Sequence, residues 1–183
     1  MLSGEERYNN IFLFRHGRTI AKDEDNEALS PEGIRQAQEA GKIVIEKINN
    51  RYFHLRRNDL KLDEMKGILK AHSPTPRSSN FLEIMLECVN RNFAGGRFFG
   101  NLIDIQSPEI NESGKIKQFI YQFSSLAGIQ LFVGHNPGII LSMQDYSKEG
   151  FGFEGDEKFL HENLEGGGYY INPSERKIYS LNQ

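Results

Sequence analysis

Apolar residues along this chain fall into two patterns: short dense runs, and longer stretches in which they recur every three or four positions. Ile11-Phe12-Leu13-Phe14 is a dense run, too short for a helix of its own and suited to a buried strand. Gly67-Ile68-Leu69-Lys70-Ala71-His72-Ser73 and Ile129-Gln130-Leu131-Phe132-Val133-Gly134 read the same way. Ile34, Ala37, Gly41, Val44 and Ile48 recur at helical spacing. They predict a helix that opens at Ser30-Pro31-Glu32, a capping residue followed by proline, and ends near Asn49.

The same opening recurs at Thr75-Pro76-Arg77, ahead of Phe81, Ile84, Met85 and Val89, and at Asn136-Pro137, where Asn136 is expected to cap. Ile116, Phe119, Ile120, Phe123 and Leu126 predict a further amphipathic helix. Gly95-Gly96 breaks the chain; a short strand is expected between Arg97 and Asp104, and a helical turn from Ser107-Pro108-Glu109. Gly168-Tyr169-Tyr170-Ile171 and Lys177-Ile178-Tyr179-Ser180-Leu181, joined through Asn172-Pro173-Ser174-Glu175, form a closing hairpin. Two stretches lack a period: residues 50–66, read as a charged surface connection with room for a short helix, and 144–166, acidic and glycine-spaced, read as an insertion over the surface.

Strands alternating with helices imply an α/β domain, a three-layer sandwich with a mostly parallel sheet and helices on both faces. The chain of 183 residues fits a single domain, 1–183. A net charge of -3 and a pI near 6.0 give no reason to expect nucleic acid, although a local basic site is compatible with both. Cys88 is the one cysteine, expected as a small buried hydrophobe, and it excludes an intrachain disulfide or a thiolate metal cluster. No apolar run reaches the length of a signal peptide or a membrane span. A cytoplasmic protein that does not bind membranes is the expectation.

In parallel sheets ligands bind beyond the carboxyl ends of the strands. Arg15 and His16, Arg77, and His135 each fall at or just past such an end, on three separate stretches. Any one of them alone would be ordinary loop chemistry. Together, two guanidiniums, two imidazoles and capped helix starts describe an anion site, and the guanidinium fork suits a phosphoryl group. Neighbouring cations press an imidazole toward its neutral form, whose lone pair can attack phosphorus, while bound phosphate pulls the other way. Gly17 lets the backbone approach closely. His54, His72 and His161 lack this support and are expected in structural or solvent-facing roles. No spacing suggests a zinc site, no cofactor is implied, and Gly95-Gly96 lacks the Lys-Ser/Thr end of a P-loop.

Leu13-Phe14-Arg15-His16-Gly17-Arg18-Thr19 resembles the signature of the histidine phosphatase superfamily, which includes the phosphoglycerate mutases. Leu29-Ser30-Pro31-Glu32-Gly33-Ile34-Arg35-Gln36-Ala37 resembles its first-helix motif, Ser73-Pro74-Thr75-Pro76-Arg77-Ser78-Ser79 its second arginine segment, and Val133-Gly134-His135-Asn136-Pro137-Gly138 its second histidine segment. The last is most similar to the short phosphohistidine phosphatase branch. The resemblance implies a phosphoglycerate mutase-like fold and a covalent phosphohistidine at His16, with Arg15, Arg77 and His135 as the phosphate pocket. Gly17, Arg18 and Thr19 would contact substrate.

It implies a phosphorylated protein or a small phosphorylated metabolite as substrate; a mutase or a non-catalytic phosphate-binding scaffold are the alternatives. Many members protonate the leaving oxygen with a carboxylate between the second arginine and second histidine. Asp104 is the expected candidate, with Glu109 and Glu112 behind it. The phosphohistidine branch manages without one, because an imidazole can depart already protonated whereas an alkoxide needs a proton.

Overall fold

The computed structural model describes residues 10–20, 28–57, 67–92, 102–112, 114–123 and 127–182. In chain order these form β1 (Asn10–Arg15), α1 (Pro31–Arg57), β2 (Gly67–His72), α2 (Pro76–Asn92), β3 (Leu102–Gln106), a 3-10 turn (Pro108–Asn111), α3 (Lys115–Phe123), β4 (Ala127–Gly134) and α4 (Gly138–Lys148). Then follow β5 (Gly152–Glu154), a second 3-10 turn (Glu157–Leu160), β6 (Gly168–Asn172) and β7 (Lys177–Ser180).

The seven strands make one sheet in the order β3-β2-β4-β1-β6-β7-β5. β3, β2, β4 and β1 are mutually parallel, as βαβ crossovers require. β6 and β7 add the antiparallel hairpin expected from the sequence, and β5 pairs parallel with β7. Phe12, Phe14, Leu131 and Val133 face one way and pack with Val44 and Ile48 of α1 and Phe81 and Met85 of α2. Their strand neighbours Ile11, Leu13 and Phe132 face the other way, against Ile116 and Ile120 of α3 and Ile139 and Met143 of α4. The strands are therefore buried on both sides, which is why they read as continuous apolar runs instead of alternating.

The sequence-based expectation differs from the structure in several places. Helix α1 continues through residues 50–57, eight positions past its expected end. No glycine or proline stands there to break it, and loss of an apolar period is not a stop signal. Ile34, placed in the buried stripe, is 39% exposed, while Ala40 and Ile45 are buried. Cys88 is half-buried at the edge of the α1–α2 core, not fully within it. Finally, 144–166 lies over the surface only in part: residues 144–148 complete α4, Phe151 and Asn163 are buried, and its last part walls the site described below, while most of the stretch between them is exposed. Residues 58–66, 93–101 and Leu126 lie outside the described residues. Among the described residues no helix is long and apolar enough to cross a membrane, and no cluster of three or more His, Cys, Asp or Glu side chains is disposed to hold a metal ion.

Candidate active site

The parallel register carries β1, β4 and β2 to a common edge, with Arg15 opposite Gly134 and His72 opposite Val133. Backbone bonds continue beyond the strands: His16 N–H donates to the Gly134 carbonyl (3.2 Å) and Ser73 N–H to that of Val133 (3.1 Å). The two segments that carry the predicted histidines are thus joined to each other at the point where they leave the sheet.

His16 is 7% exposed. Its Nδ1 lies 2.8 Å from the Gly17 carbonyl oxygen. A carbonyl can only accept, so Nδ1 carries the proton and Nε2 keeps the lone pair. Gly17 in turn sits against α1. A Cβ on Gly17 would stand 2.8 Å from the Gly33 Cα, and one on Gly33 would stand 2.2 Å from the Arg18 carbonyl oxygen. The two glycines let the loop after β1 lie on the first turn of the helix, where Ser30 caps by accepting from Gly33 N–H (3.0 Å).

The His135 ring meets that of His16 edge to face, with centroids 4.6 Å apart. Its backbone N–H donates to Asn111 Oδ1 (3.0 Å), and its Nε2 lies 3.2 Å from both Ser73 Oγ and Thr75 Oγ1. Asn111 Nδ2 donates to the same Ser73 hydroxyl (3.3 Å). One asparagine thereby holds both the backbone of His135 and a hydroxyl that fixes its ring. Asn136, expected to cap α4, makes no such bond: Pro137 occupies the cap position without a side-chain bond. Asn136 Nδ2 donates instead to the Asn163 carbonyl (3.1 Å). The same carbonyl accepts from Arg15 Nη1 (2.9 Å), so it aligns the guanidinium.

Arg77 stands in the first turn of α2, as expected. Its charge reaches both histidines. Burial is the main reason that His16 is held below its ordinary pKa; Arg77 and Arg15 add to the effect, while the Gly17 carbonyl opposes it. His135 is pushed down to about 4, first by burial and then by His16, Arg77 and Arg15. Both imidazoles are therefore neutral near pH 7 when only the protein's own charges surround them.

The other residues expected at the site are disposed differently. The Gly17 carbonyl and backbone belong to it. The Arg18 side chain is exposed, and its main chain is held by Gln36 Oε1 and Ser30 (3.0 Å each). Thr19 forms an isolated bridge with Leu29. Asp104 pairs across β2–β3 with Lys70 (2.7 Å) and lies 3.9 Å from His72 Nε2. Glu109 lies on the first 3-10 turn, 3.8 Å from Lys115, and Glu112 caps that turn's end, exposed. His72 is buried and donates from Nδ1 to the Ser73 carbonyl (2.7 Å), a structural role; His161 is exposed and contacts Gln144. The side chain of His54 lies outside the described residues.

Residues 163–167 are the part of the site with no expectation behind it. Arg15 N–H donates to the Gly167 carbonyl (3.0 Å), and Gly166 N–H donates to that of His16 (3.1 Å). Glu165 Oε1 comes within 3.8 Å of Arg15 Nη2. Gly166 has φ +73, and a Cβ there would meet Gln36 at 2.6 Å, so the turn requires glycine. Beside this wall, between α1 and residues 161–167, runs a groove of about 840 Å³ whose lining includes Arg15, Asn136, Glu39 and Glu165. The run Gly166-Gly167-Gly168 was the available signal in the sequence: three glycines entering a strand mark a close backbone approach.

No family model matches the chain, and no curated protein does. Solved structures do match. One is a protein assigned as the phosphohistidine phosphatase SixA of Agrobacterium tumefaciens, with a TM-score of 0.56 at 17% identity, covering 90% of this chain and 91% of that one. A second, assigned as SixA of Nakamurella multipartitia, matches with a TM-score of 0.55 at 15% identity over 94% of this chain and 92% of that one. Phosphoglycerate mutase of Plasmodium falciparum matches with a TM-score of 0.50 at 18% identity, over 96% of this chain and 89% of that one. The chain shares the fold of these proteins.

Proposed function

We propose that the protein is a phosphatase of the histidine phosphatase type, acting without a metal on a phosphorylated protein or a small phosphorylated metabolite through a covalent phosphohistidine on His16. The observation that carries this reading is the Nδ1–H bond to the Gly17 carbonyl, which leaves Nε2 of a buried, neutral imidazole as the nucleophile, beside His135. Phosphoryl transfer asks the protein chiefly for position and for charge on the transferring group. Arg15 and Arg77 supply that charge, and His135, held by Ser73 and Thr75, supplies a fixed polar neighbour. His16 Nε2 bonds to phosphorus as the leaving group departs with its electron pair. Water then adds to phosphorus, the P–N bond breaks, and inorganic phosphate leaves with His16 restored.

The test is to quench the protein during turnover of substrate labelled in its phosphoryl group. Acid-labile, base-stable label on the native protein and none on His16→Ala is the expected result. Full turnover by His16→Ala would overturn the reading. Free phosphate as product distinguishes a phosphatase from a mutase, which would return the label to an isomer of the substrate. Phosphate binding without any turnover would indicate a scaffold.

A further inference from the structure

Arg15 belongs both to the phosphate pocket and to the lining of the groove between α1 and residues 161–167, so the groove is open to whatever is attached to the phosphoryl group. Glu32, Glu39, Glu162 and Glu165 line it against Arg15 and Arg35. Two of these carboxylates are matched on α1 itself, Glu32 by a two-point bond to Arg35 and Glu39 by Lys42 (2.8 Å). Glu165 pairs with Arg15 at 3.8 Å. Once a phosphoryl group engages Arg15, the exposed Glu162 and Glu165 have no cation of the described lining left to balance them.

A second feature of the same wall is independent of charge. Asn163 lines the groove and is 1% exposed, yet neither Oδ1 nor Nδ2 of its carboxamide has a hydrogen-bond partner among the described residues. Asn136, which also lines the groove, leaves its Oδ1 buried and unpartnered. The Asn163 carbonyl joins the two residues, since it accepts from both Arg15 Nη1 and Asn136 Nδ2. The unpartnered oxygens therefore belong to the residues that align the guanidinium. Buried polar atoms are nearly always paired, and a donor entering from the groove would pair these.

From these two observations together we infer that the site selects phosphomonoesters whose organic part carries a primary ammonium group, a specificity that rests on the phosphatase reading above. The ammonium donates to Asn163 Oδ1 and Asn136 Oδ1, and Glu162 and Glu165 balance its charge. An ammonium has three N–H donors and no acceptor, which suits two oxygens and a carboxylate better than a hydroxyl does. Ala40, Ile43 and Ile140 offer apolar surface to the carbon chain. A cleft lined by carboxylates gathers cations and turns anions away, so a substrate with a carboxylate of its own is disfavoured.

The test measures kcat/KM for three phosphates of similar length, aminoethyl, propyl and carboxyethyl phosphate, in the native protein, Asn163→Leu and Glu162→Gln. Comparison between variants cancels the differing reactivity of the leaving alcohols. The native protein is expected to rank the substrates in that order, with aminoethyl phosphate ahead of propyl phosphate by at least about tenfold. Asn163→Leu keeps the main-chain carbonyl and the size but not the carboxamide. Its aminoethyl-to-propyl ratio should fall by about 10- to 100-fold, the effect of a lost hydrogen bond to a charged group. In Glu162→Gln the ratio should fall by about two- to fivefold, and less at high salt. Leucine in place of an amide without partners should not lower the melting temperature. A native preference for carboxyethyl phosphate, or a ratio left unchanged by Asn163→Leu, overturns the inference; a lowered melting temperature with that unchanged ratio would make Asn163 structural. Should Asn163→Leu fail to fold, the ratio in Glu162→Gln decides, a fall supporting the inference and an unchanged value overturning it. No turnover of any of the three by the native protein overturns it as well. In each of these cases label on His16 during turnover of phosphoimidazole leaves the phosphatase reading intact. Absence of both turnover and label in the native protein overturns the two together.

Discussion

His16 and His135 stand edge to face with ring centroids 4.6 Å apart and planes at 62°. Two imidazoles this close do not both hold a proton easily, and the flanking guanidiniums oppose even the first. The proposed nucleophile therefore loses its proton more easily than an ordinary imidazole. The acid limb of kcat/KM is expected below pH 6.5, the ordinary value from which His16 is lowered. Because the Arg77 charge contributes to that lowering, Arg77→Met should move the limb upward while cutting kcat by about 100- to 1,000-fold, the cost of one lost charge-stabilising donor. A pH–rate profile for each protein checks both effects; a limb that stays in place would show that Arg77 does not act on His16.

His135 also links stability to pH. Its folded value of about 4 lies below its ordinary 6.5, so between those limits the unfolded chain binds a proton that the folded chain does not. Stability is expected to fall as pH drops from 6.5 toward 4 and to lose this dependence below it. His16 acts with the same sign. Urea midpoints measured across this window should slope less in His135→Asn than in the native protein.

Asn111 is a positioning residue. Asn111→Ala removes the acceptor for the His135 N–H and the donor to the buried Ser73 hydroxyl. About 1–3 kcal/mol of stability should go with it, since a buried polar group is left unpaired. Asn111→Asp keeps an acceptor for the His135 N–H and is expected to recover part of kcat at unchanged KM. Equal kcat for the two variants would show that the bond to His135 is irrelevant.

Gly33→Ala places a methyl 2.2 Å from the Arg18 carbonyl, a main-chain atom that cannot step aside cheaply. Overpacking of this kind costs about 1–3 kcal/mol. It also pushes the loop after β1, and with it the Gly17 carbonyl that sets the His16 tautomer. Denaturant unfolding should show the stability loss, and steady-state kinetics a lower kcat.

Arg15, His16, Arg77 and His135 were legible because each follows a dense apolar run or a proline-marked helix start, features that local chemistry imposes directly. The sheet was legible for the same reason, since strands buried on both faces cannot hide their composition. The wall at 163–167 was not. Its hydrogen bonds to Arg15 and His16 run through the carbonyls of Asn163 and Gly167 and the amide of Gly166, and backbone groups are identical at every position of a sequence. Asn111 was equally silent: it works from a 3-10 turn too short to have a period. The final turns of α1 were missed because a helix needs no buried stripe in order to continue once it has started.

The placement of β6 has a consequence for biogenesis. β1, which delivers Arg15 and His16, is synthesised long before its neighbour on one side, β6, and the turn entering β6 is bonded to the main chain of His16. A ribosome-bound chain that has exposed both arginines and both histidines still lacks one wall of the pocket. Competence for the proposed phosphoryl transfer should therefore arrive only when β6 has emerged and threaded beside β1.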